Sequence, residues 1–324
     1  AVSDRNSTTG MAAVLIIPWA IVFCRKRRRR APMGWMPLAA WTFGCGAGAL
    51  ALFPNRAMTH ANGLGLVSFA PDRVEVNDYA GSSNKDGYPV CRFRYNSLGY
   101  RDVEPASGPK DKKRRILIVG DSYVWGDGIP EDEETLSARL RAELDRLAPG
   151  RFLVMSAAYP GLGLYGYGRF IDALCARYDP DIVLVGHLGG ADRDPFDAQA
   201  LLDRLPPNRP LRNLVLNLGA AQHLSEASII HSGRVWRSAR NEAFFAALLD
   251  GMARRARAQG YRLIFLSYGG PGPALPASIE ELSLPPAWRY PGQSNELWYG
   301  KDYHPKPELN RRLARLVAAA FAGK

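Results

Sequence analysis

The chain has 324 residues, with 42 Lys and Arg against 31 Asp and Glu, a formal charge of +11 and an ordinary globular hydrophobic content of 47%. That is enough for a sizeable core in one or two domains. The charge does not mark a nucleic-acid binder: much of it sits in Arg25–Arg30, between two apolar stretches. No zinc-finger spacing, aromatic RNA-binding signature or basic helix with heptads accompanies it.

Residues 1–10 are polar and read as an unstructured leader. Residues 11–54 read as a membrane anchor. Met11–Cys24 is apolar but shorter than the about 20 residues a span needs, whereas Met33–Phe53 is long enough. Glycine, proline and aromatic residues within it are compatible with a membrane helix. One transmembrane helix gives a signal anchor and two give a hairpin. Either way the arginine run stays cytoplasmic, and everything beyond residue 54 lies on the periplasmic or extracellular side. A secretory signal would give the same compartment without the anchor.

Residues 55–110 carry Pro, Gly, Asn and Ser clusters and read as an irregular collar, with a short alternating strand at Arg92–Tyr95. From residue 111 to 324 strands and helices alternate. Arg115–Val119 is the aliphatic run of a parallel strand buried on both faces. Glu133-Glu134-Thr135 opens a helix in which Leu136, Leu140, Leu144 and Leu147 recur, stopped by Pro149-Gly150. Phe152–Met155 is a second strand, Tyr165–Tyr178 a helix and Asp181–Val185 a third strand. Residues 195–240 read as an insertion shaping the substrate side. Phe245, Leu248, Leu249 and Met252 mark a helix ending at Gly260, and Tyr261–Ser267 is a fourth strand. A long loop then runs to Asp302, and Leu309, Leu313, Leu316, Val317 and Phe321 stripe a last helix. The order predicts an α/β three-layer sandwich: a parallel, flavodoxin-like sheet covered on both sides, preceded by the membrane segment.

The first strand ends in Gly120-Asp121-Ser122, followed by Gly126 and Gly128. Ser122 would sit just beyond a strand's carboxyl end, where open α/β sheets place their chemistry. A nucleophilic serine needs a base, and the base needs a carboxylate to fix its tautomer. Asp302-Tyr303-His304 supplies both. Of the five histidines, only His304 has a carboxylate two residues before it and an apolar-striped helix after it. Asp121 is read as organising the loop through backbone N–H groups. His187 follows the third strand and has either a substrate or oxyanion role or that of a satisfied, half-buried histidine. Asp192, nearby, would bind substrate hydroxyls or lie in a solvated loop. Trp288, Tyr290, Trp298, Tyr299 and Tyr303 offer a sugar platform or, more simply, loop packing. Cys24, Cys45, Cys91 and Cys175 are scattered and read as buried free thiols. No Cys/His spacing suggests a metal, and no cofactor is expected.

Ser122 in its Gly-Asp-Ser block and the Asp302-x-His304 block, with Asn96-Ser97-Leu98-Gly99-Tyr100-Arg101 ahead of them, resemble the SGNH, or GDSL-type, hydrolase superfamily over roughly residues 92–322. The resemblance implies an esterase that forms an acyl-enzyme on Ser122, with His304 as base and Asp302 as its orienter. It places the oxyanion hole at the N–H of Ser122 and at a second-block residue, Ala158 or, with a shift, Gly161. In the third block, Gly189-Gly190-Ala191-Asp192, alanine stands where the family has asparagine, which removes a side-chain donor worth about 100- to 1000-fold in rate. With an envelope location, the implied substrate is an acylated carbohydrate or lipid, cleaved at an acyl group such as acetyl. Two alternatives stay open: a polysaccharide O-acyltransferase working with a membrane-bound acyltransferase partner, and a catalytically weakened scaffold or glycan-binding protein.

Overall fold

The computed structural model describes residues 60–80, 85, 87–105, 112–187, 197, 199–200, 203, 239–269, 275–300 and 303–323. All belong to one unit of the chain, Thr59–Arg204 with Ala227–Lys324. The expected leader and membrane anchor, and most of the 195–240 insertion, lie outside the described residues. Among those described, no helix is long and apolar enough to cross a membrane.

The core is a five-stranded parallel sheet. Its strands are β5 (Arg114–Gly120), β6 (Phe152–Ala158), β7 (Ile182–His187), β8 (Arg262–Ser267) and β9 (Glu280–Ser283), in the order β6-β5-β7-β8-β9. The chain leaves β5 to one side for β6 and returns to the other for β7. This is the flavodoxin-like order, with its switch point between β5 and β7. Both faces of the sheet are covered, which is why its central strands are continuous apolar runs. Ile116, Ile118, Ile182, Leu184, Ile264 and Leu266 pack under α2 (Leu136–Leu147) and α5 (Pro307–Ala322). Leu117, Val119, Val183, Val185, Leu263 and Phe265 face α3 (Leu164–Tyr178) and α4 (Ala239–Gln259). The three-layer expectation holds for the described residues.

The helix boundaries have local causes. Glu133 and Glu134, expected with Thr135 to open α2, fall in a separate 3₁₀ turn, Asp132–Glu134. Thr135 then caps α2, its hydroxyl oxygen accepting from the Ala138 N–H. Leu136, Leu140 and Leu144 are buried, while Leu147 at the frayed end is exposed. Pro307 starts α5 at a position where no backbone N–H is needed.

Two features differ from the expectations. The loop after β8 is interrupted by β9, which pairs in parallel with β8 from Ile264↔Glu280 to Ser267↔Ser283. Its sequence, Glu-Glu-Leu-Ser, lacks the β-branched run of a central strand because it is a half-exposed edge. The collar is also more regular than an irregular linker. Its described residues hold two antiparallel pairs, β1 (His60–Ala61) with β2 (Val67–Ser68), and β3 (Val74–Asn77) with β4 (Cys91–Arg94). Leu66, Val67, Leu98 and Tyr100 enter one core layer, and Cys91, Phe93 and Tyr95 enter the other. The alternation expected at 92–95 appears in β4 as Cys91 and Phe93 buried, Arg92 and Arg94 exposed.

Candidate active site

Ser122 is the first residue of a one-turn helix, α1 (Ser122–Trp125), directly after β5. Asp121 caps that turn: its Oδ1 accepts from the Tyr123 N–H at 2.9 Å, which is the loop-organising role expected of it. α1 lies across the sheet only because two glycines leave space. A Cβ on Gly120 would stand 2.3 Å from Val124 Cγ2, and one on Gly186, in the neighbouring strand β7, 2.2 Å from the same atom. Gly126, at φ +87°, ends the turn, and the N–H groups of Gly126 and Asp127 both donate to the Ser122 carbonyl.

The loop beyond α1 is clamped from the collar. The Arg101 side chain is fully buried and its guanidinium lies over the Phe93 ring, 4.4 Å from the centroid. It donates to Asp132 Oδ1 at 2.7 Å and to the carbonyls of Gly126 at 2.7 Å and Ile129 at 2.9 Å. The segment that delivers it is a tight turn. Asn96 Oδ1 accepts from the N–H groups of Leu98 and Tyr100, and Gly99 is at φ +79° with the Phe69 carbonyl where a Cβ would be. The Asn96–Arg101 segment is thus the brace of the serine loop, a role that its sequence did not disclose.

His304 arrives from the other end of the chain. Trp298 and Pro305 form a β-bridge, the Tyr299 N–H donates to the His304 carbonyl at 2.9 Å, and the Lys306 N–H to Leu297 at 2.8 Å. The imidazole is buried, with the Tyr123 ring 4.9 Å away, centroid to centroid. Its Nε2 is 2.8 Å from Ser122 Oγ, across 182 residues of sequence. A hydroxyl within that reach of a ring nitrogen can pass its proton to it. Asp302 lies outside the described residues, as do Asp192 and the third block with Ala191.

The Asp127 carboxylate faces the same nitrogen. Asp127 Oδ2 is 3.9 Å from His304 Nε2. Asp127 Oδ1 accepts from the Tyr79 hydroxyl at 2.6 Å, and Oδ2 accepts from Lys85 Nζ. Burial, then the neighbouring Asp127 charge, raises the Tyr79 phenol above its ordinary value, so it remains a donor. Lys85 also sits 4.9 Å above the Tyr88 ring, which is tilted against Tyr299 at 4.1 Å. Gly128, at φ +79°, is enclosed by the rings of Tyr88 and Tyr299, and the Tyr299 hydroxyl donates to its carbonyl at 2.8 Å. Asp127 was not among the expected site residues. Its place between Gly126 and Gly128, in the serine block itself, is the only sequence signal for it.

The oxyanion candidates part company. Ala158 pairs across from Gly120, and the following N–H, that of Tyr159, donates to the Gly120 carbonyl at 3.1 Å. Successive N–H groups of a strand point to opposite sides, so the Ala158 N–H turns away from β5. Gly161 lies in the loop beyond, at φ +78°. That loop is anchored by buried Asp197, whose carboxylate accepts from the N–H groups of Gly163 at 2.9 Å and Gly166 at 2.7 Å. His187 occupies the face opposite Gly186. Its ring packs edge-on against Phe265, 5.5 Å between centroids, and it is 1% exposed.

Among the terminal aromatics, Trp298 and Tyr299 are buried, Trp298 Nε1 donates to the Trp288 carbonyl at 2.7 Å, and Tyr290 donates to Gly300 at 2.6 Å. These are loop-packing roles. Tyr303 alone of the five is well exposed, at 53%. Among the described residues no group of three or more His, Cys, Asp and Glu could hold a metal. A cavity of about 170 Å³, lined by Val103, Arg115, Arg141, Leu153 and Tyr178 among others, lies toward the amino-terminal half of β5 and β6 and includes neither Ser122 nor His304.

No family model and no curated protein matches the chain. Solved structures do. TesA aligns at 18% identity with a TM-score of 0.36, over 64% of this chain and 98% of that one. The psychrotrophic esterase EstA from Pseudoalteromonas sp. aligns at 15% with a TM-score of 0.35, over 65% and 96%. A GDSL-like lipase from Bacteroides thetaiotaomicron aligns at 13% with a TM-score of 0.36, over 67% and 92%. The chain is similar to solved GDSL-type lipases and esterases, at identities of 18% and below.

Proposed function

We propose that this protein is a serine ester hydrolase of the SGNH, GDSL-type superfamily, held at a membrane with its catalytic domain outside the cytoplasm. The observation that carries the reading is the 2.8 Å approach of Ser122 Oγ to His304 Nε2 at the switch point of the sheet. Ser122 attacks the acyl carbonyl as His304 takes its proton. His304 returns that proton to the leaving alcohol, and Asp302 fixes the imidazole through Nδ1. The Ser122 N–H and, given the direction of the Ala158 N–H, that of Gly161 hold the oxyanion. Apolar residues 11–54 around Arg25–Arg30 support the location, and with it an acylated envelope carbohydrate or lipid as substrate.

The test is active-site labelling of the full chain with a fluorophosphonate. Mass should be added at Ser122 alone. Ser122→Ala and His304→Ala should abolish both labelling and acetyl-ester turnover, whereas Asp302→Asn should retain a residue of activity. Parent-like turnover in all three would overturn the assignment.

A further inference from the structure

We infer that Asp127 positions the acyl acceptor, and that it selects water or a vicinal diol over a simple alcohol; this rests on the ester-hydrolase reading above. Ser122 Oγ lies 2.8 Å from His304 Nε2 and Asp127 Oδ2 lies 3.9 Å from it. Asp127 cannot be the orienting acid of a triad, because that acid must face Nδ1. It stands where the second half-reaction takes place. Once Ser122 is acylated, its oxygen has no proton to give, and the acceptor oxygen must come to Nε2 instead. An oxygen about 2.8 Å from both Nε2 and Oδ2 would see them about 90° apart, close to the angle between the O–H bonds of water. Water therefore gives one hydrogen to the base and the other to Asp127. An alcohol with a single hydroxyl has one hydrogen, gives it to the base and leaves the remaining position on Oδ2 unused. A vicinal diol offers its reacting hydroxyl to Nε2 and its neighbour to Asp127.

The surroundings suit this role. Tyr79 occupies Oδ1 and Lys85 takes one position on Oδ2, which leaves that oxygen capacity for a further donor. The Lys85 charge offsets a carboxylate that would otherwise oppose the developing oxyanion. In the step, the acceptor oxygen bonds to the acyl carbon, its proton passes to Nε2, the bond from carbon to Ser122 Oγ breaks, and Nε2 returns the proton to Oγ. Asp127 gains and loses nothing; it is a positioning residue.

The full chain would be mixed with 4-nitrophenyl acetate, following the burst and the steady state, with methanol or ethylene glycol as competing acceptors. The unaltered protein should transfer acetyl to glycol about 10-fold faster per hydroxyl than to methanol, the scale of one hydrogen bond to a charged group. Asp127→Asn should keep the burst, slow the steady state about 10- to 100-fold and lose the glycol preference. No glycol preference in the unaltered protein overturns the inference without any variant. So does a burst that falls in step with the steady state in Asp127→Asn. Absence of fluorophosphonate labelling at Ser122 overturns the hydrolase reading itself, and this with it.

Discussion

Gly186 lies one strand away from Ser122, yet its substitution should disable the serine. An alanine Cβ there would stand 2.2 Å from Val124 Cγ2, whereas ordinary contact begins at 3.4 Å. Val124 is in α1, so relief means moving the serine turn by about 1 Å, at an overpacking cost of about 1–3 kcal/mol. A misplacement of that size lowers reactivity by about 100-fold. The glycine next door gives an internal control. At Gly186 the Val124 Cβ is 3.7 Å away, so Val124→Ala removes the clash; at Gly120 that Cβ is itself 2.7 Å away, and the clash survives. Val124→Ala alone should cost about 2 kcal/mol for its lost methyl groups. Urea unfolding and the rate of phosphonate labelling at Ser122 should therefore show strong coupling between Gly186→Ala and Val124→Ala, with partial recovery of labelling. Gly120→Ala should remain defective in both backgrounds. Equal rescue of the two glycine variants, or a Gly186→Ala protein with unchanged labelling, would refute the packing argument.

Arg101→Met should lower stability by at least about 3 kcal/mol, because it strands the carbonyls of Arg92, Gly126 and Ile129 and the Asp132 carboxylate; Arg101→Lys should recover little, since one ammonium cannot span the fork. Urea midpoints of the two variants test this. Burial raises the thiols of Cys91 and Cys175 to about 12. At pH 8 both stay protonated and should resist iodoacetamide in the folded protein, then react on unfolding. Peptide mass mapping of the two sites, before and after urea, reads this out.

The sequence made four of the five strands of the parallel sheet, most helices and both ends of the Ser122–His304 pair legible, because each is carried by a local pattern: an aliphatic run, a leucine period, a Gly-Asp-Ser turn. The features that escaped are those that only packing creates. β9 reads as loop because an edge strand needs no apolar run. Arg101 reads as one surface arginine among many until Phe93 and four acceptors surround it. Gly120 and Gly186 are ordinary glycines until α1 crosses them. Asp127 gains meaning only when a histidine from the far end of the chain arrives beside it. Ala158 and Gly161 could not be separated by letters, since the direction of an N–H is a property of strand register.

The docking of α5 has a consequence for the order in which the site comes into being. α5 buries Leu309, Leu313, Val317 and Phe321 in the layer shared with α2, and Asn310 Nδ2 reaches the Glu134 carbonyl at 3.1 Å. His304 stands three residues before this helix. Ser122 follows β5, early in the fold, whereas His304 comes only with the segment that α5 anchors. On the ester-hydrolase reading, a chain whose last helix has yet to close against α2 holds Ser122 with His304 out of reach, and the docking of that helix brings the two together.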